Sequence, residues 1–409
     1  MNDDEIFKLK VQLANEYLRG GGTEKIEDPY LLQDIIDFDE SKPESTTSRM
    51  RAFMNLQLNI HSRPPFFSEE TVSEYKSLVQ KSFCFDQYTI DTKEQFDEIY
   101  EKYKTSEDIL FRGQREASWR LYNRLQRQWI IDKLYEKRYS YQELLSKFVI
   151  DGKANFEEMI LEILDAHHID VINNISVLGF LQHHGCPTPL LDWTYKFQTA
   201  LYFGLDKLEE NVGPREIDNY FSVYFINQKD MEGGGMRQVM DESLDVLDEE
   251  HSAEMIAKYA KDEAQRLEMT EHFKGRKIFD KDRIPGSGMI EYVTRVEHMI
   301  EFPLSFFSDK DANTGFIFSL NNSKNILNQS GVFVWNASPS KPLEVVGAEL
   351  YFTDIENSNL EEYRFCECFN INKELAPYIT KRLADDGITK DFIYPTPDID
   401  TWIVYEKNV

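Results

Sequence analysis

The chain has 409 residues, 41% of them hydrophobic and 13% aromatic, enough for a packed core and against a disordered or fibrous protein. Its 73 acidic and 46 basic residues give a formal net charge of −27, which repels phosphate backbones at long range and disfavours wholesale nucleic-acid binding while leaving room for a local basic pocket. There is no apolar run of about 18 residues to span a membrane, the start MNDDEIFKLK lacks the order of a secretory signal, and Cys84, Cys186, Cys366 and Cys368 are too few for a disulfide scaffold. The expectation is a cytoplasmic, reduced protein with no membrane contact.

Residues 1–84 read as an accessory segment, partly helical (DDEIFKLKVQLANEYLR) and partly loop (GGGTEK, SKPESTTSR, HSRPPFF), with Phe66, Val72, Tyr75 and Val79 approximating one helical face. TKEQFDEIYEKY carries Phe96, Ile99, Tyr100 and Tyr103 at helical spacing behind Thr92 as N-cap. DILFRGQ reads as a buried strand closing at Gly113. A helical pattern runs from LYNRLQRQW to about residue 178, then LQHHGCPTPLLDWT, then the helix ALYFGLDKL and the strand FSVYFIN. Residues 229–300 are acidic, polar and helix-forming, an insertion on the sheet edge or a lid. GFIFSL, SGVFVWN and PLEVVGAELYF read as three further strands, and NKELAPYITKRLADDG as a helix stopped by Gly387. Strands and helices interleave without a βαβ rhythm, which predicts an α+β fold, a mixed, mostly antiparallel central sheet surrounded by helices.

The cluster in residues 181–194 raises three chemistries. His183 and His184 are neighbours and diverge on any regular element, no second pair stands at zinc-like spacing, and no metal is expected. Cys186 lies between Gly185 and Pro187 in a fixed turn without the surroundings of a catalytic thiol. Asp192 follows two leucines, where an unpaired carboxylate is costly, and Arg112 at a strand end is its natural partner or a fork for an anion. Trp193 either stacks on a flat ligand or packs, with packing favoured. Cys366 and Cys368 face one side of a strand-like run as small core residues.

These pieces together resemble the FRG domain family, named for its phenylalanine–arginine–glycine motif. Phe111-Arg112-Gly113-Gln114 carries that signature, followed by Trp119, Leu121 and Arg124. LQHHGCPTPLLDWTYKFQTALYFG is similar to the family's second block, NILNQSGVFVW to its third and GITKDFIYPTPDID to its end, so the resemblance spans about 90–405. The chain departs from it at Pro189 and Asn325, where the family commonly carries arginine. The implied organisation is an FRG domain over 85–409 with the helical acidic insertion inside it.

The order of parts also resembles that of an ADP-ribosyltransferase, which adds a split sheet to the expected fold. The resemblance implies an NAD-using transferase or glycohydrolase, with NAD as substrate and a protein or nucleic-acid acceptor. In that reading Arg112, His183 and Gln329 are catalytic, and Arg112, Gly113, Gln114, His184, Leu191, Asp192, Trp193 and Thr194 contact the nucleotide. The family's occurrence in bacterial and phage-conflict settings implies a toxin or antiviral defence effector. Two other readings stay open: a module that senses a nucleotide without reacting, and a structural core of Arg–Asp pairing whose protein partner binds the acidic insertion.

Overall fold

The computed structural model describes residues 70–409 apart from 83, 138, 167–171, 209–212, 228–234, 276–293, 301, 303, 309–314, 318–323, 353–365 and 396–398. Residues 1–69, with Phe66 and most of the expected accessory segment, lie outside the described residues. In chain order the elements are helix α1 (Leu78–Ser82), strand β1 (Asp86–Ile90), α2 (Lys93–Tyr103), β2 (Ile109–Gln114), α3 (Arg124–Ile131), α4 (Tyr141–Ala166), α5 (Asn174–His183), β3 (Leu190–Thr194), α6 (Phe197–Leu205) and β4 (Tyr220–Asn227). They continue with α7 (Gly235–Tyr259), α8 (Glu263–Phe273), α9 (Val296–Met299), β5 (Leu304–Ser308), β6 (Gly315–Ile317), α10 (Lys324–Gln329), β7 (Gly331–Asn336), α11 (Leu343–Phe352), β8 (Glu367–Asn372), α12 (Ala376–Asp385), α13 (Lys390–Ile393) and α14 (Trp402–Asn408).

The fold is α+β, as expected. One mixed sheet has the order β1-β8-β4-β2-β3-β7-β5-β6, with only β1–β8 and β5–β6 parallel. Its pairing is uneven. β2 pairs β4 at six positions and β3 pairs β7 at five, whereas β2 and β3 meet at the single register pair Phe111↔Thr194. The sheet is therefore split into two halves, β1-β8-β4-β2 and β3-β7-β5-β6, that part on one side of that rung.

Register assigns each face its cover. Phe111, Val223, Phe225 and Phe369 face a layer built from α2, α6 and α12. On the same face of the other half, Leu190, Phe333 and Trp335 pack against α3, α4, α5 and α14. Leu110, Leu191, Trp193, Tyr224 and Val334 face the opposite way, onto Tyr75, Leu78, Phe85 and the start of α11. Tyr75, Leu78 and Phe85 thus belong to the core, although helix begins only at Leu78 and Glu74 makes an isolated bridge with Trp119 instead of extending the helical face expected over 66–79.

Local signals account for most of the helices. Thr92 and Gln95 close a capping box at the start of α2, which buries Phe96, Tyr100 and Tyr103 on one stripe. Asn123 and Gln126 do the same for α3. Gly387, with φ of 78°, follows α12 in the left-handed region that favours glycine. The run PLEVVGAELYF departs from its strand expectation: α11 is a helix, because Pro342 opens it and Glu344 in its first turn satisfies buried donors and the positive helix end. Within the insertion, Leu247 of α7 is buried in the same core cluster as Phe333 and Trp335 of β7, whereas α8 has no buried residue.

Candidate functional site

Every candidate contributed by β2 and β3 lies at or near the split. The Arg112 side chain faces the layer of Tyr224 and Trp193, and its Nη1 donates to the main-chain oxygen of Asp192 at 2.5 Å across the gap between the halves. The expected Arg112–Asp192 pairing is thus made through the backbone. The Asp192 carboxylate instead accepts from Gln182 Nε2 at 2.7 Å, on the face covered by α5. Gln182 is held in turn by Thr188, whose hydroxyl donates to Gln182 Oε1 at 2.6 Å. Burial pushes the Arg112 pKa down, opposed by the charge of Asp192.

The split leaves polar atoms without partners. Arg112 Nε, Asp192 Oδ1 and His183 Nε2 are all buried and make no hydrogen bond among the described residues. His183 lies against the Phe333 ring at 5.2 Å between centroids, and burial pushes its pKa below the ordinary imidazole value, with Asp192 acting in the opposite direction. An orphaned buried polar atom costs about 1–3 kcal/mol, and these three stand on residues flanking the division, Arg112 toward one face of the sheet and Asp192 and His183 toward the other.

His184 is placed differently. It caps α5, lies against Phe180 at 4.6 Å, and its carbonyl accepts from Thr401 Oγ1 at 2.9 Å. Thr401 also accepts from Cys186 N, so the turn is pinned from the C-terminal segment, and Arg124 Nη1 donates to Gly185 O at 2.6 Å from the other side. Gly185 adopts φ of 90°, a conformation the turn needs. Burial holds the Cys186 thiol up at about 12, which keeps it protonated and unreactive.

Gly113 serves packing. A Cβ there would lie 1.9 Å from Ala200 O and 2.6 Å from Gly204 N, so the missing side chain lets α6 close onto β2. Gln114 is buried, with Nε2 weakly donating to Arg120 O at 3.4 Å. Leu191 and Trp193 are buried core residues. Thr194 donates to the main-chain oxygen of Gln329 at 2.5 Å. Gln329 ends α10 instead of lying on a strand, is 4% exposed, and gives its Nε2 to Ile393 O at 3.0 Å. With Asn328 donating to Phe392 O at 2.8 Å, it fastens α13 and so sets the position of Tyr394.

Residues absent from the sequence expectations complete the surroundings. Arg115 and Arg127 both seat their guanidinium groups over the Trp119 ring, at 5.5 and 5.0 Å from its centroid. Tyr394 lies near Tyr202 and Phe203, with ring centroids 6.3 and 6.4 Å away. Its hydroxyl pKa is raised by burial, then by Asp206, Tyr202 and Asp192, and lowered by Arg115. The only signal for Arg115 and Arg127 in the sequence is that both stand within fifteen residues after Arg112 in an acidic chain.

Among the described residues no helix is long and apolar enough to cross a membrane. No curated protein and no solved structure matches the chain. The FRG domain family model matches residues 107–212, which include Phe111-Arg112-Gly113 and Leu190–Thr194 on the two lips of the split but not Gln329. The sheet that holds these lips extends through strands on both sides of the matched region. The chain carries an FRG domain, whose two sequence blocks meet where its sheet divides.

Proposed function

We propose that the split between β2 and β3 binds NAD and that the protein is an NAD-using transferase or glycohydrolase resembling the ADP-ribosyltransferases. The observation that carries this reading is that residues flanking that division keep buried, unpartnered polar atoms, Arg112 Nε toward one face of the sheet and Asp192 Oδ1 and His183 Nε2 toward the face covered by α5. They differ in chemistry as a nucleotide sugar requires: a fixed cation for a phosphate or ribose oxygen, a carboxylate oxygen for a ribose hydroxyl, and an imidazole that donates or accepts according to its tautomer. Cleavage of a glycosidic bond builds positive charge on the ribose, which a preorganised carboxylate stabilises electrostatically. The Gln329 amide is already engaged with Ile393 O, so the proposal gives that role to Asp192 and leaves Gln329 as a positioning residue. The acceptor is a protein or nucleic-acid group in the transferase version and water in the glycohydrolase version, and either activity would suit a toxin or defence effector.

Nicotinamide release from NAD, with and without candidate acceptors, tests the reading. Wild-type turnover is expected, falling at least 100-fold in Asp192→Asn with NAD binding retained. Binding of NAD without turnover would instead support the sensing module, a reading favoured by the neutral His183 and the engaged Gln329 amide. Absence of both binding and turnover would overturn both.

A further inference from the structure

The three arginines beside the split form an arrangement that the acidic composition makes unusual. Arg120, Arg215, Arg266 and Arg382 all have carboxylate partners within 4.0 Å. Arg112, Arg115 and Arg127 have no such partner among the described residues; Arg124 has none either, but lies apart over the Trp402 ring. Glu116, next to Arg115 in the chain, pairs with Lys373 at 2.7 Å, and Glu74, whose charge also acts on Arg127, lies 3.6 Å from Arg215. All three arginines are half-buried and so reachable from solvent, yet the Nε atoms of Arg112 and Arg127 are buried without a hydrogen-bond partner. Grouping like charges in a partly dehydrated place opposes folding unless an anion answers them.

We infer that Arg112, Arg115 and Arg127, with Trp119 holding the outer two, form a subsite for the diphosphate of a nucleotide. The inference rests on the nucleotide reading of the cleft and needs no turnover. A single phosphate would engage one or two guanidinium forks, whereas a diphosphate offers enough oxygens for all three. Trp119 fixes the forks: seated over its ring, Arg115 and Arg127 surrender little freedom on binding. Burial and the neighbouring charges of Arg112 and Arg115 push the Arg127 pKa down to about 10, so it is still cationic at neutral pH, and an arriving anion relieves the repulsion. Tyr394, 36% exposed beside Tyr202 and Phe203, supplies a flat aromatic surface for the base.

Calorimetric titration of the full chain with ADP-ribose, inorganic pyrophosphate and adenosine tests the subsite. ADP-ribose and pyrophosphate are expected to bind and adenosine to bind at least 10-fold more weakly than ADP-ribose. Arg115→Met and Arg127→Met should each weaken ADP-ribose about 10- to 100-fold, the range for one charge-assisted hydrogen-bonded pair. Arg127→Lys, which keeps the charge but loses the fork, is the second variant should Arg127→Met fail to fold, and it should still lose at least 5-fold. Wild-type protein that binds pyrophosphate without releasing nicotinamide from NAD would sustain the subsite and remove the transferase. Turnover of NAD unaffected by Arg115→Met and Arg127→Lys, with no binding of pyrophosphate, would overturn the subsite and leave the transferase standing.

Discussion

Replacing Gly113 with alanine separates two meanings of the glycine in the FRG motif. A glycine kept for a ligand's approach to the β2 backbone could take a methyl with the free protein's fold intact. On an unobstructed strand the change would even stabilise, by ~0.5–1 kcal/mol, because glycine loses the most backbone freedom on folding. The structure demands the opposite sign. The new Cβ would fall 1.9 Å from Ala200 O, whereas ordinary contact begins at 3.4 Å, so α6 must retreat by roughly the difference between them. The atoms in the way are backbone, and no rotamer change relieves them. Overpacking costs ~1–3 kcal/mol where side chains can adjust. Here Phe197, Ala200 and Leu201, all fully buried, retreat with the helix, so the cost should reach at least ~3 kcal/mol, the top of that range. Gly204→Ala is the control: its Cβ would meet the Phe221 ring at 2.8 Å, a side chain that can tilt, for about 1 kcal/mol. Urea unfolding followed by far-ultraviolet circular dichroism, and by the emission of buried Trp193 and Trp335, measures both. Gly113→Ala within ~1 kcal/mol of wild type, or less damaging than Gly204→Ala, would refute the packing argument.

Three further outcomes are expected. Glu344 accepts from Arg120 Nη1 at 3.2 Å and Tyr75 OH at 2.6 Å, with Arg120 0% and Glu344 1% exposed at the side chain, so Glu344→Gln strands a buried cation and should cost ~3–5 kcal/mol. The Arg120→Met/Glu344→Leu double variant should recover much of that loss, and a double variant weaker than Glu344→Gln in urea unfolding would contradict the account. His183 is held below the ordinary imidazole pKa of ~6.5 by burial, so the unfolded chain takes the proton first. Its contribution to stability is complete above that value and declines as pH falls through it; His183→Phe should flatten this decline between pH 7 and 5, and an unchanged slope would show that His183 does not carry it. Burial raises the thiols of Cys84 to about 11 and Cys186 to about 12, and raises those of Cys366 and Cys368. Ellman's reagent at pH 8 should therefore react with the buried Cys186, Cys366 and Cys368 only after unfolding, and a prompt reaction of native Cys186 would disprove its burial.

The sequence was most informative where structure is decided within a few residues. Thr92 with Gln95 marks a helix start, Gly387 a helix stop, and the aromatic and branched runs of β2, β4 and β7 read directly as strands. It misled at α11, where adjacent valines suggest a strand while the deciding contacts of Glu344, to Tyr75 and Arg120, come from more than 200 residues away. Arg112 and Asp192 were legible as partners, but not the manner of their meeting. Which Asp192 atom faces Arg112 depends on β2 and β3 sharing one rung, a property of register that alternating hydrophobicity does not encode. The arginine group was less legible still, since Arg112 lies on a strand, Arg115 follows it in a turn and Arg127 lies on a helix, with Trp119 as their common support. Gln329 was placed by motif order, and only the fold shows its amide fastening α13.

The one-rung join between Phe111 and Thr194 has a mechanical consequence. A sheet normally spreads shear over many parallel hydrogen bonds, but here two well-braced leaves share one register pair, backed by the Arg112 bond to Asp192 O, so opening the gap breaks little ladder within either leaf. A molecule gripping Arg112 on one leaf and Asp192 on the other acts as a brace across the hinge. Its effect should extend beyond its contacts, slowing amide exchange along both β2 and β3 and stiffening the leaves against each other. Bound at a hundred times its Kd, such a brace adds ~2.7 kcal/mol to the fold as a whole. The seam between the leaves is thus the line of least backbone pairing in the sheet and the place where a bound ligand would exert the greatest leverage over it.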